Sequence, residues 1–188
     1  MSNKDQLIRC KACGYIMRED LVKEVCPACG LPKSVFEPYR ENISPRRRLI
    51  LGLHLHPIAV HFPQALVVLL FPLLLLGRFL PAPWGHDCIV TSRVLVYLLP
   101  LLTLPALISG IIDGRVRFKK LGTPALKQKI LLGSLFFLLN TAAAGLAYLR
   151  GLEGSILYGV LALLIPCMAC QALLGRIGVR LMFARLGG

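Results

Sequence analysis

The chain has 188 residues, of which 56% are hydrophobic and only 16% are charged, and its 22 Lys and Arg against 9 Asp and Glu give a net charge of +13. A soluble domain carries roughly 25% charged residues, so this composition argues against an ordinary soluble protein, a disordered chain and a small disulfide-rich secreted protein. A basic balance often indicates nucleic-acid binding. In a chain this apolar, it is more typical of a membrane protein with positively charged cytoplasmic segments.

The first 48 residues differ in composition from the rest of the chain. They hold ten of the 22 basic and six of the nine acidic residues, and the sequence then becomes a series of long apolar runs. This contrast predicts a small soluble domain over residues 1–40 and a membrane domain over residues 57–188. Between them, Pro45 disfavours a helix and Arg46–Arg48 suit an anionic lipid surface. Residues 41–56 are therefore predicted to be a basic linker.

Four apolar stretches are long enough to span a bilayer, which takes about 20 helical residues. They cover residues 58–80, 89–112, 130–149 and 156–177 and predict an all-α transmembrane four-helix bundle. Of the Lys and Arg residues, 19 fall in the N-terminal segment, the second connection and the tail, and 3 fall on the opposite side. Positive charge favours the cytoplasmic side. We therefore expect a multi-pass protein of a bacterial-type inner membrane with both termini cytoplasmic, and we expect no nucleic-acid partner.

The N-terminal domain carries two Cys-x-x-Cys-Gly segments separated by a short loop. Two such pairs form a tetrahedral site of four thiolates, and the Gly after each pair permits a tight turn. A disulfide pairing is disfavoured on a cytoplasmic segment, where thiols stay reduced. Four sulfur ligands suit either iron or zinc, and the spacing alone leaves that choice open. The predicted metal ligands are Cys10, Cys13, Cys26 and Cys29.

This segment resembles rubredoxin over about residues 8–39. The resemblance rests on Cys-x-x-Cys-Gly-Tyr-Ile, Cys-Pro-x-Cys-Gly and the following Pro-Lys and Phe-Glu pairs. The short gap between the pairs is similar to the rubredoxin-like domain of rubrerythrins. The resemblance implies one iron that cycles between ferric and ferrous states, with Tyr15 and Phe36 as a small aromatic core. A zinc ribbon is the alternative.

A second group of candidate residues lies where the first span begins. His54, His56 and His61 fall within eight residues, and ionisable groups at membrane depth are functional candidates because burying them is costly. His56 and His61 are roughly 140° apart around a helix, so they cannot both ligate one haem from a regular helix. One could ligate a group while the other binds a quinone or a proton. The alternative, which we favour for His54, is an interfacial residue bonded to loops or headgroups.

The predicted membrane domain resembles the membrane family DUF2231 over about residues 53–150. The resemblance rests on His-Pro-x-x-Val-His-Phe-Pro and on Ser-Gly-Ile-Ile-Asp-Gly at the end of the second span. It implies a b-type haem or quinone site, with matching positions at His56, His61, Ser109, Gly110 and Asp113. Asp113 could orient an imidazole or pair with Arg115 or Arg117. No His follows His86, so bis-His haem ligation would need His86 or a second chain.

These patterns together predict a membrane-anchored electron-transfer protein. One iron in the four-cysteine site would exchange single electrons between a soluble cytoplasmic donor and a membrane acceptor, which is a quinone, a haem or a partner complex. The expected partners are membrane lipid, a redox donor or membrane redox complex, and a second copy in a possible homo-oligomer. A site of four thiolates has no open coordination position, so a carrier or redox subunit is expected rather than a stand-alone enzyme.

Two other function classes stay open. A zinc-ribbon docking scaffold would carry the same cysteines without redox activity. A small transporter would use His56, His61 and Asp113 as proton-relay groups, but four spans without an internal repeat offer little for alternating access. A further pair, Cys167 and Cys170, shares one face of the fourth span and is predicted to pack as small hydrophobic residues.

Overall fold

The computed structural model describes residues 6–40 and 44–182. It divides between Ser44 and Pro45 into two compact units, a small β unit and a larger helical unit. The predicted fold class is therefore confirmed: a small β module with a four-cysteine cluster precedes a bundle of long helices.

The β unit is built on a three-stranded antiparallel sheet in which β1 (Leu7–Cys10) lies between β2 (Ile16–Arg18) and β3 (Phe36–Tyr39). Side chains alternate between the two faces of a strand, so Ile8 and Cys10 point into the core while Leu7 and Arg9 are half-exposed. A core this small contributes little stability by itself. We therefore expect the link between its four cysteines to supply much of the stability of this unit.

One expectation for this core was wrong. Tyr15 was expected to belong to an aromatic core, but its side chain is 43% exposed. Phe36 is half-buried, and within residues 6–40 the buried apolar residues are Ile8 and Val22 together with two of the cysteines. The aliphatic side chains fill the space because the sheet is short and the knuckle loop carries Tyr15 outward.

The helical unit has five helices within the described residues. A short α1 (Pro45–Gly52) is followed by α2 (Leu55–Phe79), α3 (Trp84–Phe118), α4 (Pro124–Arg150) and α5 (Gly154–Met182). The four long helices are apolar enough to cross a membrane, and each contains most of one predicted span. The 35 residues of α3 extend about 52 Å at 1.5 Å per residue, which exceeds a hydrocarbon core of about 30 Å.

The four long helices form a closed bundle in which α2 packs on α3, α3 on α4, α4 on α5 and α5 on α2. Leu70, Leu74 and Leu164 are fully buried at its centre, while Leu101 and Leu131 on the outer surface are 66% and 70% exposed. Apolar residues on all sides of a helix suit a helix that contacts its neighbours on one side and lipid on the other. Buried in the same core are the two cysteines predicted to pack there, Cys167 and Cys170.

The segment predicted to be a linker contains helix α1. Pro45 is the first residue of this helix, a position that Pro favours because the missing N–H has no partner there in any case. The Arg47 guanidinium donates from Nε to the Val116 carbonyl at 2.9 Å and from Nη2 to the Arg117 carbonyl at 3.2 Å. These carbonyls belong to the last turn of α3, where a cation also stabilises the helix dipole. Arg47 therefore joins α1 to the bundle.

Candidate metal centre and membrane cavity

The two Cys-x-x-Cys segments fold into equivalent turns. The Gly14 N–H donates to the Cys10 carbonyl at 2.9 Å, and the Gly30 N–H donates to the Cys26 carbonyl at 2.8 Å. Gly14 and Gly30 have φ angles of +76° and +72°, a region that side chains other than Gly rarely adopt. Each Gly thus closes a knuckle that presents two sulfurs to the same point.

The four sulfurs lie at the corners of a metal-sized tetrahedron. Cys10 Sγ is 3.7 Å from Cys29 Sγ, Cys13 Sγ is 3.7 Å from Cys26 Sγ, and all four atoms lie within 4.8 Å of one another. Metal–sulfur bonds of about 2.3 Å in a regular tetrahedron place the sulfurs about 3.8 Å apart. The cysteines therefore fit one tetrahedrally coordinated ion, as the sequence predicted.

The site is buried on one side and open on the other. Cys10 and Cys26 are 0% and 1% exposed, whereas Cys13 and Cys29 lie at the surface. The first Cys of each pair belongs to the core and the second follows the turn outward. An ion held here is shielded from water by Cys10 and Cys26 and is within reach of a partner through Cys13 and Cys29.

Backbone N–H groups act on the sulfurs of the four-cysteine site. The Cys13 N–H donates to the Cys10 sulfur and, against the opposing effect of burial, lowers the pKa of Cys10 to about 7. The Leu31 N–H likewise favours the Cys29 thiolate, but loss of hydration and the neighbouring thiols outweigh it and raise the pKa of Cys29 to about 12. Metal binding requires all four thiolates, so it displaces protons from this cluster.

The helical unit contains a second candidate site, a cavity of about 360 Å³ bounded by α2, α3, α4 and α5. It lies at the bundle end where α2 and α4 begin and α3 ends. Most of its wall is apolar. The predicted residues His56, His61 and Asp113 all line it, together with Arg117 and Lys129. The fold therefore brings together the three candidates that the sequence placed on two separate helices.

The His56 imidazole is held across the α2–α3 interface. Its Nδ1 lies 3.1 Å from the Ala106 carbonyl oxygen and 3.4 Å from Ser109 Oγ. A carbonyl only accepts, so Nδ1 carries the proton and Nε2 of the neutral ring keeps its lone pair. The ring lies on Gly110, where an added Cβ would be 2.7 Å from His56 Cε1. Gly110 thus makes room for this imidazole.

His61 and His54 differ in their positions. His61 is exposed, lines the cavity and has its Nδ1 within hydrogen-bond distance of the Pro57 carbonyl oxygen. His54 is exposed at the α1–α2 junction, where its Nδ1 lies 2.7 Å from the Gly52 carbonyl oxygen. It is outside the cavity lining, which agrees with the interfacial interpretation.

Asp113 forms an ion pair with Arg117, one turn further along α3, with 3.5 Å between Asp113 Oδ2 and Arg117 Nε. The sequence left open whether Asp113 orients an imidazole or pairs with an arginine, and in the structure it pairs with Arg117. Because Asp113 also lines the cavity, the ion pair places a charged group in its wall.

Two residues that sequence reasoning missed, Thr103 and Asn140, form a polar chain in the bundle core with Cys167, which was predicted only to pack there. Asn140 Nδ2 donates to Thr103 Oγ1 at 3.3 Å, and the Cys167 thiol donates to Asn140 Oδ1 at 3.5 Å. The chain links α3, α4 and α5, and hydrogen bonds of this kind hold membrane helices together. The available signal was Asn140, the one Asn within the four apolar stretches. Lys129, counted only as a loop charge, was also missed.

The comparisons with known proteins bear on the β unit. Residues 9–37 match the family model of the rubrerythrin, rubredoxin-like domain. No curated protein and no solved structure matches the chain significantly. Together with the sulfur geometry, the match shows a rubredoxin-like domain with a four-cysteine metal site, which is followed by four helices able to cross a membrane. The resemblance of the helical unit to DUF2231 stays a prediction.

Proposed function

We propose that this protein is a membrane-anchored one-electron carrier whose four-cysteine site holds a single iron. The observation that carries the proposal is the tetrahedral sulfur cluster within a segment that matches the rubredoxin-like domain of rubrerythrins. The geometry accepts zinc equally well, and the family match favours iron.

The coordination set limits what the site can do. Four thiolates fill a tetrahedral ion completely and leave no position for a substrate. An iron held there supplies a reversible one-electron change. Cys10 and Cys26 keep water away from the ion, and the exposed sulfurs of Cys13 and Cys29 offer the shortest path to a partner. These features support electron transfer rather than catalysis at this centre.

The proposed partners are a soluble cytoplasmic electron donor and a membrane acceptor. The acceptor is a quinone, a haem or a partner complex in an inner membrane, and association into a homo-oligomer is compatible with each. Four apolar helices support residence in the membrane. The electron donor is assigned to the side on which the N-terminal domain is predicted to lie.

The metal assignment is tested by absorption spectroscopy of the full chain, purified anaerobically in detergent, with metal analysis of the same sample. We expect about one iron per chain and visible thiolate-to-iron charge-transfer bands that bleach on reduction. A colourless protein with one zinc, which stays colourless after reconstitution with iron, would contradict the proposal and favour the docking scaffold. A Soret band in the same spectrum would identify haem as the acceptor.

The orientation is tested with reporter fusions after residues 82, 122 and 188. Because 19 of the 22 Lys and Arg residues fall on one predicted side, we expect a cytoplasm-specific fluorescent reporter to be active after residues 122 and 188. A periplasm-specific phosphatase is expected to be active only after residue 82. The reverse pattern would place the N-terminal metal domain outside the cytoplasm and remove the proposed donor.

A further inference from the structure

The bundle cavity has the properties of a site for an amphipathic small molecule. Its volume of about 360 Å³ falls within the roughly 300–1,000 Å³ typical of ligand pockets, which are mostly apolar with a few placed polar groups. Leu107, Ile130 and Phe136 contribute to the apolar wall, and the charged groups Asp113, Arg117 and Lys129 lie near helix ends. A ligand that matches this arrangement has a compact polar head and an otherwise apolar body.

The polar groups provide both a hydrogen-bond acceptor and donors. The bond from His56 Nδ1 to the Ala106 carbonyl fixes the tautomer, so Nε2 accepts a hydrogen bond from a ligand hydroxyl. Lys129 lines the same cavity, and its ammonium donates to a ligand carbonyl. A head group whose oxygens are carbonyls in one redox state and hydroxyls in the other finds a donor, Lys129, in the first state and an acceptor, His56 Nε2, in the second.

The charged groups of the wall, Asp113, Arg117 and Lys129, carry one net positive charge. Asp113 is paired with Arg117 at 3.5 Å, so part of the positive charge near Lys129 is already compensated. A fatty acid or a phospholipid headgroup would meet the Asp113 carboxylate as well as the cations. An uncharged quinone needs no opposite charge and uses the Lys129 ammonium as a hydrogen-bond donor, and an anionic lipid is the competing occupant that the oleate experiment tests.

We propose that this cavity binds the head group of an isoprenoid quinone, with the tail extending between helices into the lipid. His56 Nε2 would accept a hydrogen bond from a hydroxyl of the reduced head, and the Lys129 ammonium would donate a hydrogen bond to an oxygen of the head. Gly110 leaves room for the His56 ring. The choice of a quinone over other neutral amphipathic molecules rests on the proposed function, because a one-electron carrier in a membrane needs an acceptor soluble in lipid.

The test uses the full-length protein in lipid nanodiscs and a short-tail benzoquinone that carries a photoreactive azido group. Affinity is measured by competition with the unlabelled quinone and, without oxygen, with the unlabelled quinol, and the labelled peptides are identified by mass spectrometry. We expect labelling of peptides from α2 and α3 around His56 and Gly110.

Two variants and two matched controls define the site. His56→Gln removes the acceptor for a quinol hydroxyl, and we expect the affinity for the quinol to fall about 3- to 10-fold, as for one lost hydrogen bond, with little change for the oxidised quinone, which has no hydroxyl to donate. Gly110→Ala displaces the ring, and we expect at least about a 10-fold loss. Gly145→Ala alters a helical Gly with no atom near the added Cβ, and His54→Asn alters a His outside the cavity. Both controls are expected to bind as the wild type does.

Four results would overturn the inference. Labelling spread along the lipid-facing surfaces, or equal affinity in all four variants, would mean that the cavity holds no quinone. Displacement of the probe by oleate but not by unlabelled quinone would assign the cavity to an anionic lipid. A Soret band on haem addition, lost in His56→Gln and accompanied by release of the probe, would assign it to haem.

The proposed function fails separately from this inference. Metal content and the iron spectrum are measured on the same preparation, and the probe is tested on the Cys13→Ser variant as well. Specific labelling in a protein that holds zinc would keep the quinone site and remove the electron carrier. An iron spectrum without specific labelling would keep the carrier and remove the quinone site.

Discussion

Replacing Cys13 or Cys29 by Ser is expected to abolish stable metal binding and, with it, the visible spectrum of the four-cysteine site. The two sulfurs lie 3.7 Å from Cys26 Sγ and Cys10 Sγ, respectively, so each supplies one corner of the tetrahedron. Outer-shell changes at metal sites typically cost roughly 10- to 100-fold in affinity, and we expect the loss of a direct ligand to exceed this. Metal content per chain and absorbance after desalting measure the effect.

The same substitutions are expected to leave the helical unit inserted, because the two units have separate cores. Helical content by circular dichroism and extraction from membranes only by detergent check this expectation. Cys88→Ser is the matched control, since Cys88 lies on α3 outside the cluster, and we expect full metal content in that variant. Metal loss in Cys88→Ser, or failure of Cys13→Ser to insert, would contradict the picture of two independent units.

Gly85→Ala is expected to be the most destabilising single-methyl change in the bundle. Gly85 is buried in the first turn of α3, where an added Cβ would overlap the Leu80 carbonyl oxygen and lie 3.2 Å from the Gly77 carbonyl oxygen. Both obstacles are backbone atoms, so neither yields by a change of rotamer. Overpacking typically costs about 1–3 kcal/mol, and we expect a loss of about 2–3 kcal/mol in the free energy of unfolding.

Gly145→Ala provides the comparison for that loss. The added Cβ meets no atom within 4 Å, and Ala is favoured over Gly inside a helix by up to about 1 kcal/mol. We expect unchanged or slightly increased stability. Reversible unfolding in mixed micelles, followed by circular dichroism, measures both variants. Equal stability of the two would mean that the turn between α2 and α3 relaxes without cost.

The local features of the metal domain were predictable from the sequence because each depends on neighbours only a few residues away. The Gly14 and Gly30 bonds reach back four residues, so the spacing of Cys and Gly already contains the knuckle. The aromatic core was predicted only in part. The position of Tyr15 depends on how the rest of the unit packs, and in the folded unit its side chain is 43% exposed.

The positions of the long helices were also predictable, but their polar contacts were not. Length and apolar composition mark a span without reference to its neighbours. The contact of His56 with Ala106 joins residues 50 positions apart, and Asn140 meets Thr103 across 37 positions. Helical periodicity predicts on which face of its helix a residue lies, but it does not predict which other helix packs against that face.

The sequence by itself thus determined the metal ligands, the class of fold and the number of apolar helices, since these follow from spacing and composition. Only the tertiary structure decided that Arg47 bonds the end of α3, that Gly110 seats the His56 ring, and that His56, His61 and Asp113 line one cavity. The physical reason is the range of the interactions. Knuckles and spans are formed by short stretches of chain, whereas the cavity forms only when four helices pack against one another.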